Sequence, residues 1–456
     1  MKPWLLAVTN PNGSQARRLA AFVVAIGMPL VSALAPVSAH AAAVFSVPGA
    51  RAAGPARYDR VLVERFGPAS ARTVLVLVPG SASGAGAFGF VAEDLVHRVR
   101  GLQVWAVERR EQAFEDTSVL ERGDPDTALA YYLEGQPIDG RTFRPPPASE
   151  VRFMARWGLG LLLGDVRQVV RRARAGGRRV ILGGHSLGAS AAEVYASWDF
   201  SGRPGHRDLA GLVLIDGGLD GDLEQPTLAQ ARAQLKEFQT APRFDPFEQG
   251  MPWVYGVASA IAGLYAQHRP QERSSLDAVG LLPAAVKPPF AATNEAWLGW
   301  VRSLLYPARG KAAAHAGHPA ATGSPRAWID GDISPIQRTA RWLTQAPLNT
   351  VDWYVPRRLL LDAQAADALK ATPLTRLLHL RLKHRREIRL PLYAFQTSSS
   401  APHVLRAARR LAKQSHVTSL TLASDPTSVH SDPLTALPER NRFLLTVTPF
   451  LKRLTH

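Results

Sequence analysis

Residues 179–198 read RVILGGHSLGASAAEVYASW: an apolar, β-branched run at 179–183, the turn Gly184-His185-Ser186-Leu187-Gly188, and an alanine-rich run through Trp198. Continuous apolar residues ending at a glycine pair predict a strand buried on both faces, as in a parallel sheet covered by helices. The run after the turn predicts a helix. Between them, G-x-S-x-G has the spacing of a sharp strand-to-helix turn that lifts a serine hydroxyl above the end of a sheet. A side chain at either glycine would collide where strand and helix approach, and the serine lies beside the positive end of the helix.

Outward from this stretch, the same rhythm recurs. Apolar strands are predicted at 60–66, 73–78, 102–107, 212–215, 390–395 and 417–422, with helices at 88–99, 149–175, 402–414 and 438–454. Alternating short buried strands and helices predict an α/β fold with a doubly wound, mostly parallel sheet. The rhythm breaks at 219–388, where helical pieces and Trp/Tyr-rich loops replace buried strands. The expected organisation is a core over 55–218 and 389–456, with a mainly helical cap at 219–388 over the carboxyl ends of the strands, the edge where such sheets bind ligands. Aromatics crowd the insertion: Trp253, Tyr255, Tyr265, Trp297, Trp300, Trp328, Trp342, Trp353 and Tyr354. They suit the core of a small helical unit or the wall of an apolar acyl pocket.

The chain has 456 residues, 46% hydrophobic and 20% charged, as in a packed globular protein. It has no cysteine, which removes disulfides and thiolate chemistry. Its net charge of +17 favours weak association with anionic surfaces, but no nucleic-acid-binding module is recognisable. The densest basic run, Arg381 to Arg389, is expected to form a solvated helix face. Near the start, Arg17-Arg18, an apolar run at 19–35 and Ala39-His40-Ala41 have the order of an export signal, so 1–41 is expected to be a signal peptide or N-terminal anchor. A secreted or extracytoplasmic location follows from that expectation.

With the turn, an early Pro79-Gly80-Ser81-Ala82 loop and a late histidine in SVHSDP, the chain resembles the α/β-hydrolase superfamily of serine esterases and lipases. The resemblance covers the region outside 1–41 and the insertion, whose type it leaves unassigned. It implies a nucleophile at Ser186 and a general base at His430, which follows the last strand as the fold requires. It also implies oxyanion donors from the amides of Leu187 and of Ser81 or Ala82, although Pro79 stands where the family commonly has histidine. The family's usual acid position, after the penultimate strand, holds Gln396 to Ser400 and no carboxylate. Some members place the acid one strand earlier, where Asp216 ends LVLID; Asp220, Asp222 and Asp432 are alternatives. His185 is expected to pack and shape the loop. His315 and His318 lie in an Ala/Gly-rich loop without evident carboxylate partners, so no metal or other cofactor is expected. The implied substrate is a small-molecule or lipid-like ester, with a large apolar one favoured by the aromatic insertion.

Overall fold

The computed structural model describes residues 43–240, 244, 251–345 and 349–455; the expected export signal lies outside them. The first strands are β1 (Ala43–Pro48), β2 (Arg60–Phe66), β3 (Thr73–Val78) and β4 (Leu102–Val107), with helix α1 (Gly89–Arg98) between the last two. After α2 (Pro125–Tyr132) and α3 (Leu159–Arg174) come β5 (Arg179–His185), α4 (Leu187–Ser197) and β6 (Gly211–Ile215). The insertion supplies α5 (Leu228–Thr240), α6 (Val254–His268), α7 (Asn294–Leu305), a two-residue pair β7 (His318–Pro319) and β8 (Trp328–Ile329), α8 (Ile336–Leu343), α9 (Arg357–Ala366) and α10 (Pro373–Leu377). The chain returns through β9 (Pro391–Thr397), α11 (His403–Gln414), β10 (Ser419–Asp425), α12 (Asp432–Thr435) and α13 (Arg442–Thr455).

The main sheet has eight strands in the order β1-β2-β4-β3-β5-β6-β9-β10. Pairing is parallel from β4 to β10, while β1 and β2 add an antiparallel edge. Period-two alternation sorts the central strands onto two faces. Leu75, Leu77, Ile181, Val213 and Phe395 enter the apolar layer that contains α1 and α13. Val74, Val76, Leu182, Leu214 and Leu392 enter the layer with α3, α4 and α11. Both faces are covered, which accounts for strands without polar alternation.

The insertion joins both layers. Val257, Ile261, Trp297 and Trp342 of α6, α7 and α8 belong to the first, whereas Phe238, Leu359 and Leu374 of α5, α9 and α10 belong to the second. Of the aromatics in the insertion, Trp253, Tyr265, Trp297, Trp342, Trp353 and Tyr354 are buried in the first layer.

The basic run departs from the expected helix face. It holds only a 3-10 turn at Arg385–Glu387, and Arg385 is buried, its Nη1 donating to Glu193 Oε1 at 2.6 Å. Glu193 lies on the inward side of α4 with no exposure. A buried carboxylate needs a paired charge, and that need draws the arginine inward.

Candidate active site

Ser186 follows β5 directly and precedes the first residue of α4, with φ 55° and ψ −122°. The strain is held by close backbone packing. A Cβ at Gly188 would lie 1.9 Å from the Val78 carbonyl oxygen, and one at Gly184 would lie 2.3 Å from the Gly188 carbonyl carbon. Both distances are impossible for a real side chain, so the expected collision is present. The Ser186 amide donates to the Ile215 carbonyl at 2.9 Å, which ties the turn to β6.

Asp216 is the next residue on that neighbouring strand, and its amide donates to the Phe395 carbonyl at the end of β9 at 2.9 Å. The residue is 2% exposed, and its backbone, like that of Ser186, has positive φ, 48°. Asp216 Oδ2 lies 2.6 Å from His430 Nδ1 and accepts from the Thr397 hydroxyl at 2.7 Å. Oδ1 accepts from the Thr397 amide at 2.6 Å and from the Ser400 hydroxyl. Burial, the largest single influence, pushes the Asp216 carboxyl up; the bonds from His430, Ser400 and Thr397 outweigh it and hold the group below its ordinary value. The carboxylate is therefore charged, oriented and shielded from water.

His430 is half-buried in the loop after β10. The His185 ring packs 4.4 Å from it, and His185 Nε2 lies 2.9 Å from the His430 carbonyl, to which it donates. Burial and then the neighbouring His430 push the His185 imidazole down to about 3, so it stays neutral and serves as a donor. The Tyr306 ring, just beyond α7, packs 5.8 Å from the His430 ring. Ser431 and Asp432 continue the loop, and Asp432 Oδ2 accepts from the Val429 amide at 2.6 Å.

The alternative acids are engaged elsewhere. Asp220 pairs with Arg406 and His403, Asp222 with Arg406, and Asp432 with Arg302 at 2.7 Å. His315, expected to lack a carboxylate partner, lies 2.9 Å from Asp332 Oδ1, because the loop folds back across 17 residues. His318 Nδ1 lies 3.1 Å from the Pro319 carbonyl. The structure thus brings together Ser186, Asp216 and His430 at the carboxyl ends of β5, β6 and β10, with Leu187 at the helix start. Gly80 closes the other side: a Cβ there would lie 3.2 Å from Ser186 Cβ, which places the Ser81 and Ala82 loop beside the serine. Sequence reading missed Thr397 and Ser400. Their signal was present as a hydroxyl-rich QTSSS run, read only for the acid it lacks.

No family model matches the chain, and no curated protein matches it. Solved structures do. A protein described as a "putative lipase" from Sulfolobus solfataricus aligns over 90% of this chain and 93% of its own, at 15% identity and a TM-score of 0.51. A soluble variant of monoglyceride lipase from Saccharomyces cerevisiae aligns over 87% and 92%, at 11% identity and a TM-score of 0.40. The thioesterase domain from the curacin biosynthetic pathway aligns over 87% and 95%, at 12% identity and a TM-score of 0.40. Strand order, the turn at Ser186 and the first of these likenesses together give the chain the α/β-hydrolase fold.

Proposed function

We propose that the protein is an exported serine hydrolase that cleaves carboxylic esters through an acyl-enzyme. The observation that carries this reading is the 2.6 Å contact between His430 Nδ1 and the buried Asp216 carboxylate, two residues 214 apart in sequence that meet beside Ser186. A carboxylate on Nδ1 fixes the tautomer that leaves Nε2 free to accept a proton, and it stabilises the imidazolium that forms. Ser186 Oγ attacks the ester carbonyl and passes its proton to His430. The oxyanion is met by the amides of Leu187 and of Ser81 or Ala82. His430 then protonates the departing alkoxide, and a water activated by the same imidazole releases the acid.

The substrate reading is a large apolar ester. It is supported by an apolar cavity of about 90 Å³ between α6 and α7, lined by Tyr255, Ala258, Trp297, Leu298, Leu304 and Leu305. Its last two lining residues immediately precede Tyr306, the aromatic ring against His430. Among the described residues no helix is long and apolar enough to cross a membrane. Export is part of the proposal and rests on the order of residues 17–41; sequencing the mature N-terminus tests it.

The test of the chemistry is labelling by a fluorophosphonate probe in wild type, Ser186→Ala and His430→Ala. Labelling of wild type and loss in both variants is the expected result. A folded wild type that stays unlabelled would replace the enzyme with a binding protein on a hydrolase fold.

A further inference from the structure

We propose that Arg109 is the positioning residue of the oxyanion loop: its guanidinium holds the peptides 80–81 and 81–82 so that the Ser81 and Ala82 amides face Ser186. The inference rests on the acyl-transfer reading above. The loop Gly80-Ser81-Ala82-Ser83-Gly84-Ala85-Gly86 has no side chain larger than a hydroxymethyl group. Such a segment has little side-chain packing with which to fix its own peptide orientations, and its glycines lower the barrier to alternative ones. An oxyanion hole needs its donors aimed before the reaction, so the loop requires an anchor from outside.

Arg109 supplies it. The residue lies two positions beyond β4 and is 3% exposed. Nη1 donates to the Gly80 carbonyl at 2.5 Å and Nη2 to the Ser81 carbonyl at 2.7 Å. In a planar trans peptide the N–H points opposite to the C=O. Two successive carbonyls turned toward the guanidinium therefore turn the next two amides, those of Ser81 and Ala82, away from it. These are the two amides that the sequence offers as alternatives for the second donor. A flipped peptide would instead present a carbonyl oxygen to the developing negative charge.

The anchor is itself anchored. Asp352 Oδ2 accepts from Nη2, and Glu111 Oε1 lies 2.8 Å from Nε. Asp352 is 2% exposed and comes from the insertion, 243 residues away from Arg109. The same insertion segment meets the loop again, where the Gly84 amide donates to the Thr350 carbonyl at 2.9 Å. Glu108 Oε2 accepts from the Ala85 amide at 3.0 Å. Arginine suits this place because its rigid planar fork can serve both carbonyls and a carboxylate at once, whereas a lysine ammonium on a flexible stem is a single point charge.

The experiment is steady-state hydrolysis of a soluble ester by wild type, Ser186→Ala, Arg109→Lys and Asp352→Asn, each checked for melting temperature. A trifluoromethyl ketone, whose adduct carries the oxyanion, and the corresponding unreactive ether are measured as inhibitors. In R109K, kcat is expected to fall about 100-fold with KM within about threefold. Affinity for the ketone should fall in parallel, and affinity for the ether should hold. D352N, which keeps the guanidinium and its carbonyl bonds but weakens their support, should lose about tenfold in kcat with the same split. If R109K does not fold, D352N decides. Wild-type turnover that S186A abolishes, but that the folded clamp variants leave within about threefold, overturns this inference alone. So does a loss that ketone and ether share equally, because that is damage to the pocket and not to the oxyanion site. Wild-type turnover that survives S186A, or no turnover at all, overturns the acyl-transfer reading and this inference with it.

Discussion

Asp216 shows how much one side chain depends on its surroundings. Its carboxylate has His430, Thr397 and Ser400 as partners, and nearly all of its surface is buried. Replacing it by asparagine keeps the volume but removes the charge and can reverse the tautomer of His430, so D216N should lower kcat by roughly 10⁴-fold with KM little changed. Steady-state kinetics on a chromogenic ester checks this; a loss under tenfold would mean that another group orients the histidine. The sign of its pH linkage also follows. A carboxyl depressed below its ordinary 3.8 contributes stability that is complete above that value and is lost as pH falls through the lower folded one. Glu64 behaves in the opposite way. Burial, reinforced by Glu93, raises it from 4.5 to about 7, and its Oε2 has no hydrogen-bond partner among the described residues. Its ionisation therefore costs nothing well below pH 4.5 and costs progressively more up to about pH 7. Glu64→Gln should gain about 2 kcal/mol of stability over wild type between pH 5 and pH 8. Urea midpoints at the two pH values measure it, and equal differences at both would show that Glu64 ionises without penalty.

At the scale of elements, the parallel strands were legible because each is a short apolar run, and the runs of β3, β5 and β6 stop at Pro79, Gly183 and Asp216. Element ends were less so. A helix is expected over 149–175, yet α3 starts at Leu159, whose amide donates at 3.0 Å to Asp362 of α9. That cap comes from 203 residues away, so no local pattern announces it. Edge strand β1 was also missed: its pairing with β2, from Ala43 opposite Arg65 to Pro48 opposite Arg60, recruits a largely half-buried AVFSVP segment that closely follows the expected export signal. The helices α6 and α7 carry the functional expectation of this scale. If the cavity between them receives the acyl chain, Ala258→Trp should fill it. The kcat/KM for a decanoate ester should fall by about tenfold or more, while that for an acetate ester stays within about threefold. A uniform loss across chain lengths would place the acyl group elsewhere.

For the whole molecule, the insertion is part of the fabric. Its helices contribute to both apolar layers that cover the sheet, and its Asp352 and Asp362 pair with Arg109 and cap α3. Removing it would expose apolar faces on either side of the sheet, so unfolding of sheet and insertion should be coupled. Differential scanning calorimetry is expected to give one transition. Two resolved peaks, the lower one lost on deleting 219–388, would contradict that coupling.

The strand–turn–helix at Ser186, the order of parallel strands and the place of His430 after β10 could be read directly, because they are written in periodicity, glycine placement and chain order. The pairing of His430 with Asp216, and not with Asp220, Asp222 or Asp432, could be ranked but not decided in that way. It depends on β6 lying between β5 and β9, which sets one carboxylate beside both the end of β5 and the hydroxyls of Thr397 and Ser400. Arg109 gave no signal at all, since a guanidinium among acidic neighbours looks like any surface charge until burial and the Gly80 and Ser81 carbonyls give it direction. Local patterns follow from the period of one element, whereas the partners of a buried charge follow from which distant segments the sheet order and the insertion bring against it.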